Sequence, residues 1–187
     1  MTLQRLPMLM TWARIFLIPV FALIYYLPFD WAHFAAMLVF VLAAITDWLD
    51  GFLARRFNAT SRLGAFLDPV ADKLIVAVAL IVVAVEYQHW IVTLSTIVII
   101  MREMTVSALR EWMAQHQLSE VVAVSKTGKY KTTFQLIALA LLIYGGNLFG
   151  MPWVEVGLIL LIIATFLTVL SLWQYGHAAW PAIKPHL

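Results

Sequence analysis

The chain has 187 residues, 64% of them apolar and only 12% charged, with a formal net charge of +2 and a mean hydropathy of +0.92. Soluble domains average nearer half apolar and a quarter charged, so a water-soluble globule is excluded. There is no cysteine, which excludes disulfides and thiol chemistry, and no nucleic-acid partner is expected.

In chain order, residues 1–10 mix Leu3, Leu6, Met8 and Leu9 with Gln4 and Arg5, the composition of a short interfacial segment interrupted by Pro7. Six apolar runs follow, at residues 12–29, 33–50, 63–86, 90–112, 130–146 and 153–176. A helix needs roughly 20 apolar residues to cross a bilayer core. The runs are too long and too evenly apolar for barrel strands, which alternate over about ten residues. Backbone groups in lipid must be bonded within their own segment. The expected fold is therefore all-α: an integral membrane bundle of six transmembrane helices, forming one domain over residues 1–187. The first run is longer than a signal-peptide core, so no cleavable signal is expected.

The turns near 28–33, 86–91 and 145–153 contain no Lys or Arg. All twelve basic residues lie at or near the opposite ends of the runs. The positive-inside rule then puts both termini in the cytoplasm. Trp31, Trp90 and Trp153 sit near the uncharged turns, as an interfacial aromatic belt would.

One stretch concentrates charge. DWLDGFLARRFNATSRLGAFLDPVAD, residues 47–72, carries four aspartates and three arginines, and charge beside a membrane span usually marks function. Asp47, Asp50 and Ala54 are spaced i, i+3, i+7, with Gly51 four after Asp47. Asp68 and Asp72 are spaced i, i+4, and Gly64 lies one turn earlier. Two helices joined by RFNATSR can bring two carboxylates from each to one depth. Four carboxylates repel unless cations sit among them. Arg55, Arg62 and Lys73 could supply some of that charge. Oxygen donors without Cys or clustered His select hard ions such as Mg²⁺ or Mn²⁺, and Mg²⁺ is typically shared with substrate phosphates. Gly51, Ala54 and Gly64 leave room for a group lying close to the backbone.

These residues, Asp47-x2-Asp50-Gly51-x2-Ala54-Arg55-x8-Gly64-x3-Asp68-x3-Asp72, resemble the signature of the CDP-alcohol phosphatidyltransferases at all eight positions. The resemblance covers essentially the whole chain. It implies transfer of a phosphatidyl group from a CDP-linked lipid, CDP-diacylglycerol, to an alcohol, with release of CMP. By the same resemblance Asp47, Asp50, Asp68 and Asp72 hold two divalent cations, Mg²⁺ or Mn²⁺, and Asp72 is also the general base. Gly51, Arg55 and Ser61 look like contacts to the CDP moiety, with Ala54 and Gly64 as the small residues that admit the nucleotide. A homodimer, and a bacterial inner membrane with the active site facing the cytoplasm, are implied too.

The acceptor is read from other residues. Arg102 and Arg110, eight apart in IIMREMTVSALREW, could face one groove, with Glu103 able to pair with a neighbouring arginine. SKTGKYKTTFQ adds Lys126, Lys129 and Lys131. Such a basic pocket suits an anionic acceptor, because arginine forks and lysine ammonium groups are standard phosphate partners. MREMTVSALRE and GKYKT resemble the branch of the family whose acceptor is sn-glycerol 3-phosphate. That implies roles in holding the acceptor for Arg102, Arg110, Lys129 and Lys131. The start, LPMLMTWARIFLIP, resembles the same branch, with Arg5-Leu6-Pro7-Met8 where Asn-Pro-Asn is often seen; Thr11 and Arg14 are the candidate CDP-diacylglycerol contacts there. The alternatives are the same reaction with another acceptor, such as inositol phosphate, and, outside the class, a divalent cation transporter.

Overall fold

The computed structural model describes residues 6–57, 62–116, 126–146 and 150–184; within the helices, side chains are not described for residues 6–9, 47–57, 62–66, 68, 126–127, 129 and 182. Among the described residues the secondary structure is helical: α1 (Leu6–Tyr25), α2 (Ala32–Phe57), α3 (Arg62–Tyr87), α4 (Trp90–Gln115), α5 (Lys126–Tyr144) and α6 (Trp153–Ile183). Each coincides with one of the six apolar runs, but the ends differ. α1 starts at Leu6 and includes Leu6–Met10 as its first turns. Pro7 sits at its second position, where its missing N–H would have had no intrahelical partner anyway. The helix stops at Tyr25, short of Pro28. α2 and α6 run seven residues past the ends of their apolar runs, at 57 against 50 and 183 against 176. The extra turns carry Arg55 and Arg56 in α2 and His177 and Pro181 in α6, none of which ends the helix.

Two glycine-like turns close helices at the same end of the bundle. Gly145 has φ 61°, and its N–H bonds to the Leu141 carbonyl at 3.1 Å, the left-handed cap that lets α5 stop. Gln88, with φ 45°, does the same for α3. His89 then caps α4 by accepting from the Ile91 N–H through Nδ1 at 3.3 Å.

α1 packs on α2 and α3, α6 packs on α5 and α4, and α5 lies against α2 and α3. The main core runs through Phe21, Phe40, Leu80, Val83, Ile99, Leu139, Leu142 and Leu161. A second, smaller cluster of Val106, Met113, Tyr175 and Ala179 joins α4 to α6. Arg102 and Ser171 lie in sequence between the residues that α4 and α6 contribute to these two clusters. The opposite end is aromatic. Tyr25 stacks on His33 with ring centroids 4.6 Å apart, and the Tyr87 hydroxyl donates to the Leu142 carbonyl at 2.9 Å.

The outer surface is apolar. Phe16, Leu23, Trp90, Phe166 and Trp173 are each at least 68% exposed, a surface that suits lipid and not water. Trp90–Gln115 and Trp153–Pro181 are long and apolar enough to cross a membrane, and Met10–Tyr25, Ala32–Thr46 and Tyr130–Tyr144 are shorter apolar helices.

Candidate active site

Five helices line one cavity of about 300 Å³, four of them with polar side chains and α2 with Phe40, Ala43 and Ala44. From α1 comes Arg14, its side chain fully buried and ion-paired with Asp72 of α3, whose carboxylate is 40% exposed. The two residues are 58 apart in sequence. A guanidinium without solvent is tolerated only beside an anion, so the pairing ties α1 to α3 at this depth. Thr11, one turn earlier, is buried but does not line the cavity.

α4 contributes Arg102, Glu103 and Arg110. Arg102 is 7% exposed; its Nη1 donates to Glu103 Oε1 at 3.2 Å and its Nη2 to Ser171 Oγ at 2.6 Å. Lys131 of α5, 3% exposed, donates to the same Glu103 oxygen. Arg110 donates through Nη2 to the Tyr175 hydroxyl. Tyr175 also lies under both guanidinium groups, with its ring centroid 5.3 Å from Arg102 Cζ and 5.1 Å from Arg110 Cζ, a geometry in which the ring quadrupole attracts each cation. α6 thus holds both arginines of α4 from one face, Ser171 and Tyr175 being a turn apart.

The sequence-derived candidates fall into three groups. Asp72, Arg14, Arg102, Arg110 and Lys131 meet on the one cavity. Thr11 is buried one turn before Arg14 and is not part of the lining. Asp47, Asp50, Gly51, Ala54 and Arg55 in α2, Gly64 and Asp68 in α3, and Lys129 in α5 have helical backbones but side chains outside those described; Ser61 lies outside the described residues altogether. Pro69 stands within α3 between positions 68 and 72, where it removes one link of the helical hydrogen-bond ladder.

Among the described residues no three His, Cys, Asp or Glu side chains form a metal cluster. The donor set can still be tested by its chemistry. The sequence offers four carboxylates within 26 residues, the cavity lining includes no histidine, and there is no cysteine. All-oxygen donors fit a hard divalent cation and no softer one.

Sequence reasoning missed Gln135 as part of this wall, and missed Ser171 and Tyr175, which hold its arginines from α6. Ser171 and Tyr175 carry a signal of their own, because they stand with Thr168 as buried polar residues in the longest apolar helix. Gln135 carries one as well, four residues after Lys131 on α5.

A family model described as CDP-alcohol phosphatidyltransferase matches residues 4–170. Among curated proteins, the CDP-diacylglycerol–glycerol-3-phosphate 3-phosphatidyltransferase of Shigella flexneri serotype 5b (strain 8401) is 52% identical over 176 residues, covering 94% of each chain. The protein of the same name from Escherichia coli (strain K12) is 51% identical over the same length, again with 94% of each chain covered. A match over so much of the chain settles the family: this is a membrane protein that belongs to the CDP-alcohol phosphatidyltransferases.

Proposed function

We propose that the chain transfers the phosphatidyl group of CDP-diacylglycerol to sn-glycerol 3-phosphate, yielding phosphatidylglycerol phosphate and CMP. The observation that carries this reading is the convergence of Asp72 with Arg102, Arg110 and Lys131 on one cavity. The relatives at 51–52% identity carry the name of that activity. The cavity also adjoins an apolar groove of about 320 Å³ between α2 and α5, sharing Phe40, Ala44 and Leu136 with it. A donor with a nucleotide head and acyl tails needs surfaces of both kinds side by side.

In this reading Arg102, Arg110, Lys129 and Lys131 hold the acceptor phosphate. The acceptor's primary hydroxyl attacks the lipid-side phosphorus, the bond to the CMP phosphate breaks, and Asp72 takes the hydroxyl proton. The CDP-diacylglycerol head is assigned to Gly51, Ala54, Arg55, Ser61 and Gly64, with Thr11 and Arg14. Asp47, Asp50, Asp68 and Asp72 would hold two divalent cations, Mg²⁺ or Mn²⁺, which would polarise the phosphoryl oxygens and stabilise the departing CMP. Residues 1–187 form one domain of six spans, with both termini and the active site on the cytoplasmic side of a bacterial inner membrane, and two copies form a homodimer.

The test is CMP release by purified protein in mixed micelles containing CDP-diacylglycerol, Mg²⁺ or Mn²⁺, and one acceptor at a time. Turnover with glycerol 3-phosphate is expected. It should be lost on chelation, regained on adding back the cation, and absent in Asp72→Asn. Release only with another acceptor, such as inositol phosphate, would overturn the acceptor assignment; release unaffected by Asp72→Asn would overturn the base.

A further inference from the structure

We propose that Gln135 is a specificity-determining residue that reads the non-reacting hydroxyl of the acceptor; this rests on the reading that the acceptor is glycerol 3-phosphate. That molecule makes three demands on its site. Its phosphate needs cations, and Arg102, Arg110 and Lys131 line the cavity. Its reacting hydroxyl needs a base, and Asp72 lines the same cavity. The middle carbon carries a second hydroxyl, neither charged nor reacting. Once enclosed, that group loses its water and must find a neutral partner.

The cavity wall includes three neutral polar residues from α4 and α5: Ser107, Thr132 and Gln135. Thr132 is exposed, and its hydroxyl already donates to the Gly128 carbonyl at 3.0 Å. Ser107 is only half-buried. Gln135 alone is nine-tenths buried, at 3% exposed, and its Oε1 is enclosed with no hydrogen-bond partner among the described residues. Buried side-chain polar atoms are overwhelmingly paired, so an orphan in a ligand cavity calls for a reason. Gln135 stands one helical turn from Lys131 on α5, which places amide and ammonium on the same face. A phosphate on Lys131 puts the neighbouring carbons of a three-carbon acceptor within a turn of the amide. The amide can present either its oxygen or its NH₂ by a half-turn about its last bond, so it accepts from or donates to the hydroxyl. An inorganic phosphate, or an acceptor without the middle hydroxyl, gains nothing from it.

The experiment compares glycerol 3-phosphate with 3-hydroxypropyl phosphate, which lacks the middle hydroxyl, in the unmodified protein and in Gln135→Met, an apolar replacement of similar length. The unmodified protein should use the deoxy acceptor with a kcat/KM roughly tenfold lower, the worth of about one neutral hydrogen bond. Gln135→Met should lose roughly tenfold with glycerol 3-phosphate and little with the deoxy acceptor, so that the ratio between them approaches one. The KM for CDP-diacylglycerol should stay unchanged. Equal use of both acceptors by the unmodified protein would overturn the role of Gln135 while leaving the reaction intact. So would an equal fall for both in the variant, which marks a purely structural residue. Turnover with neither acceptor, where inositol phosphate is turned over, would overturn the acceptor assignment and this role with it.

Discussion

Tyr175 offers the sharpest test of how the anion pocket is built. It is not expected to touch any reacting atom, yet its hydroxyl accepts from Arg110 and its ring lies under both Arg102 and Arg110. Tyr175→Phe removes the oxygen and keeps the ring. A hydrogen bond to a charged group contributes about 1.5–3 kcal/mol when enclosed. Arg110 is exposed, so water replaces part of that, and about 1 kcal/mol remains, or roughly a fivefold rise in the KM for glycerol 3-phosphate. Tyr175→Leu also removes two ring contacts of about 0.5–1 kcal/mol each. The sum of about 2–3 kcal/mol corresponds to a rise of roughly 30- to 150-fold. Steady-state CMP release, with each substrate varied in turn, separates the two KM values. Because Tyr175 also packs with Val106, Met113 and Ala179, Tyr175→Leu should lower the thermal midpoint in detergent, whereas Tyr175→Phe should not. An unchanged KM for glycerol 3-phosphate in both variants would refute the positioning role. So would a parallel rise in the KM for CDP-diacylglycerol, because loosening of the whole bundle predicts that and a local role does not.

Two further predictions concern packing and placement. A Cβ added at Gly157 would lie 2.9 Å from Leu142 Cγ and 3.3 Å from Leu141 Cβ, so Gly157→Ala must push α6 from α5; overpacking of this kind costs about 1–3 kcal/mol. Its melting midpoint in detergent should fall by several degrees with both KM values intact, and an unchanged midpoint would contradict the packing. Because the chain has no cysteine, a single introduced thiol reports one position: in sealed spheroplasts a membrane-impermeant maleimide should label Asp30→Cys directly and His116→Cys only after permeabilisation. Labelling of both from outside would refute the proposed sidedness.

The helices were legible because their signal is local. A run of about 20 apolar residues identifies itself, and the six runs map one to one onto α1–α6. Their ends were not, since α2 and α6 continue as helix seven residues beyond the ends of their apolar runs. The cations were legible as well: Arg102, Arg110 and Lys131 stand out in a chain with so few charges, and they do share a cavity. What holds them was hidden. Ser171 lies 69 residues from Arg102, and Tyr175 lies 65 from Arg110. Nothing in the period of α6 shows which of its faces meets α4. Arg14 was legible only as a candidate substrate contact; its pairing with Asp72 depends on how α1 lies across α3. Side-chain chemistry carries no address for a partner so distant in sequence, and the packing of helices supplies it.

The placement of Glu103 follows from the same economy of charge. A carboxylate in an anion pocket looks self-defeating, yet Glu103 accepts from both Arg102 and Lys131. Three cations of one sign, two of them buried, would repel one another in a poorly solvated site and destabilise the bundle whenever no anion is bound. Glu103 offsets one of the three positive charges of Arg102, Arg110 and Lys131; across the whole lining, with Arg14 and Lys73 set against Asp72, a surplus of three remains (five minus two). A phosphate monoester carries about −1.5 to −2 near neutral pH, so the lining keeps enough positive charge to hold the proposed acceptor. Glu103 also shares one oxygen between an arginine of α4 and a lysine of α5, which sets the distance between two of the cations before any ligand arrives. The acid therefore costs the site some attraction and gives it in return a preset spacing between two of its cations.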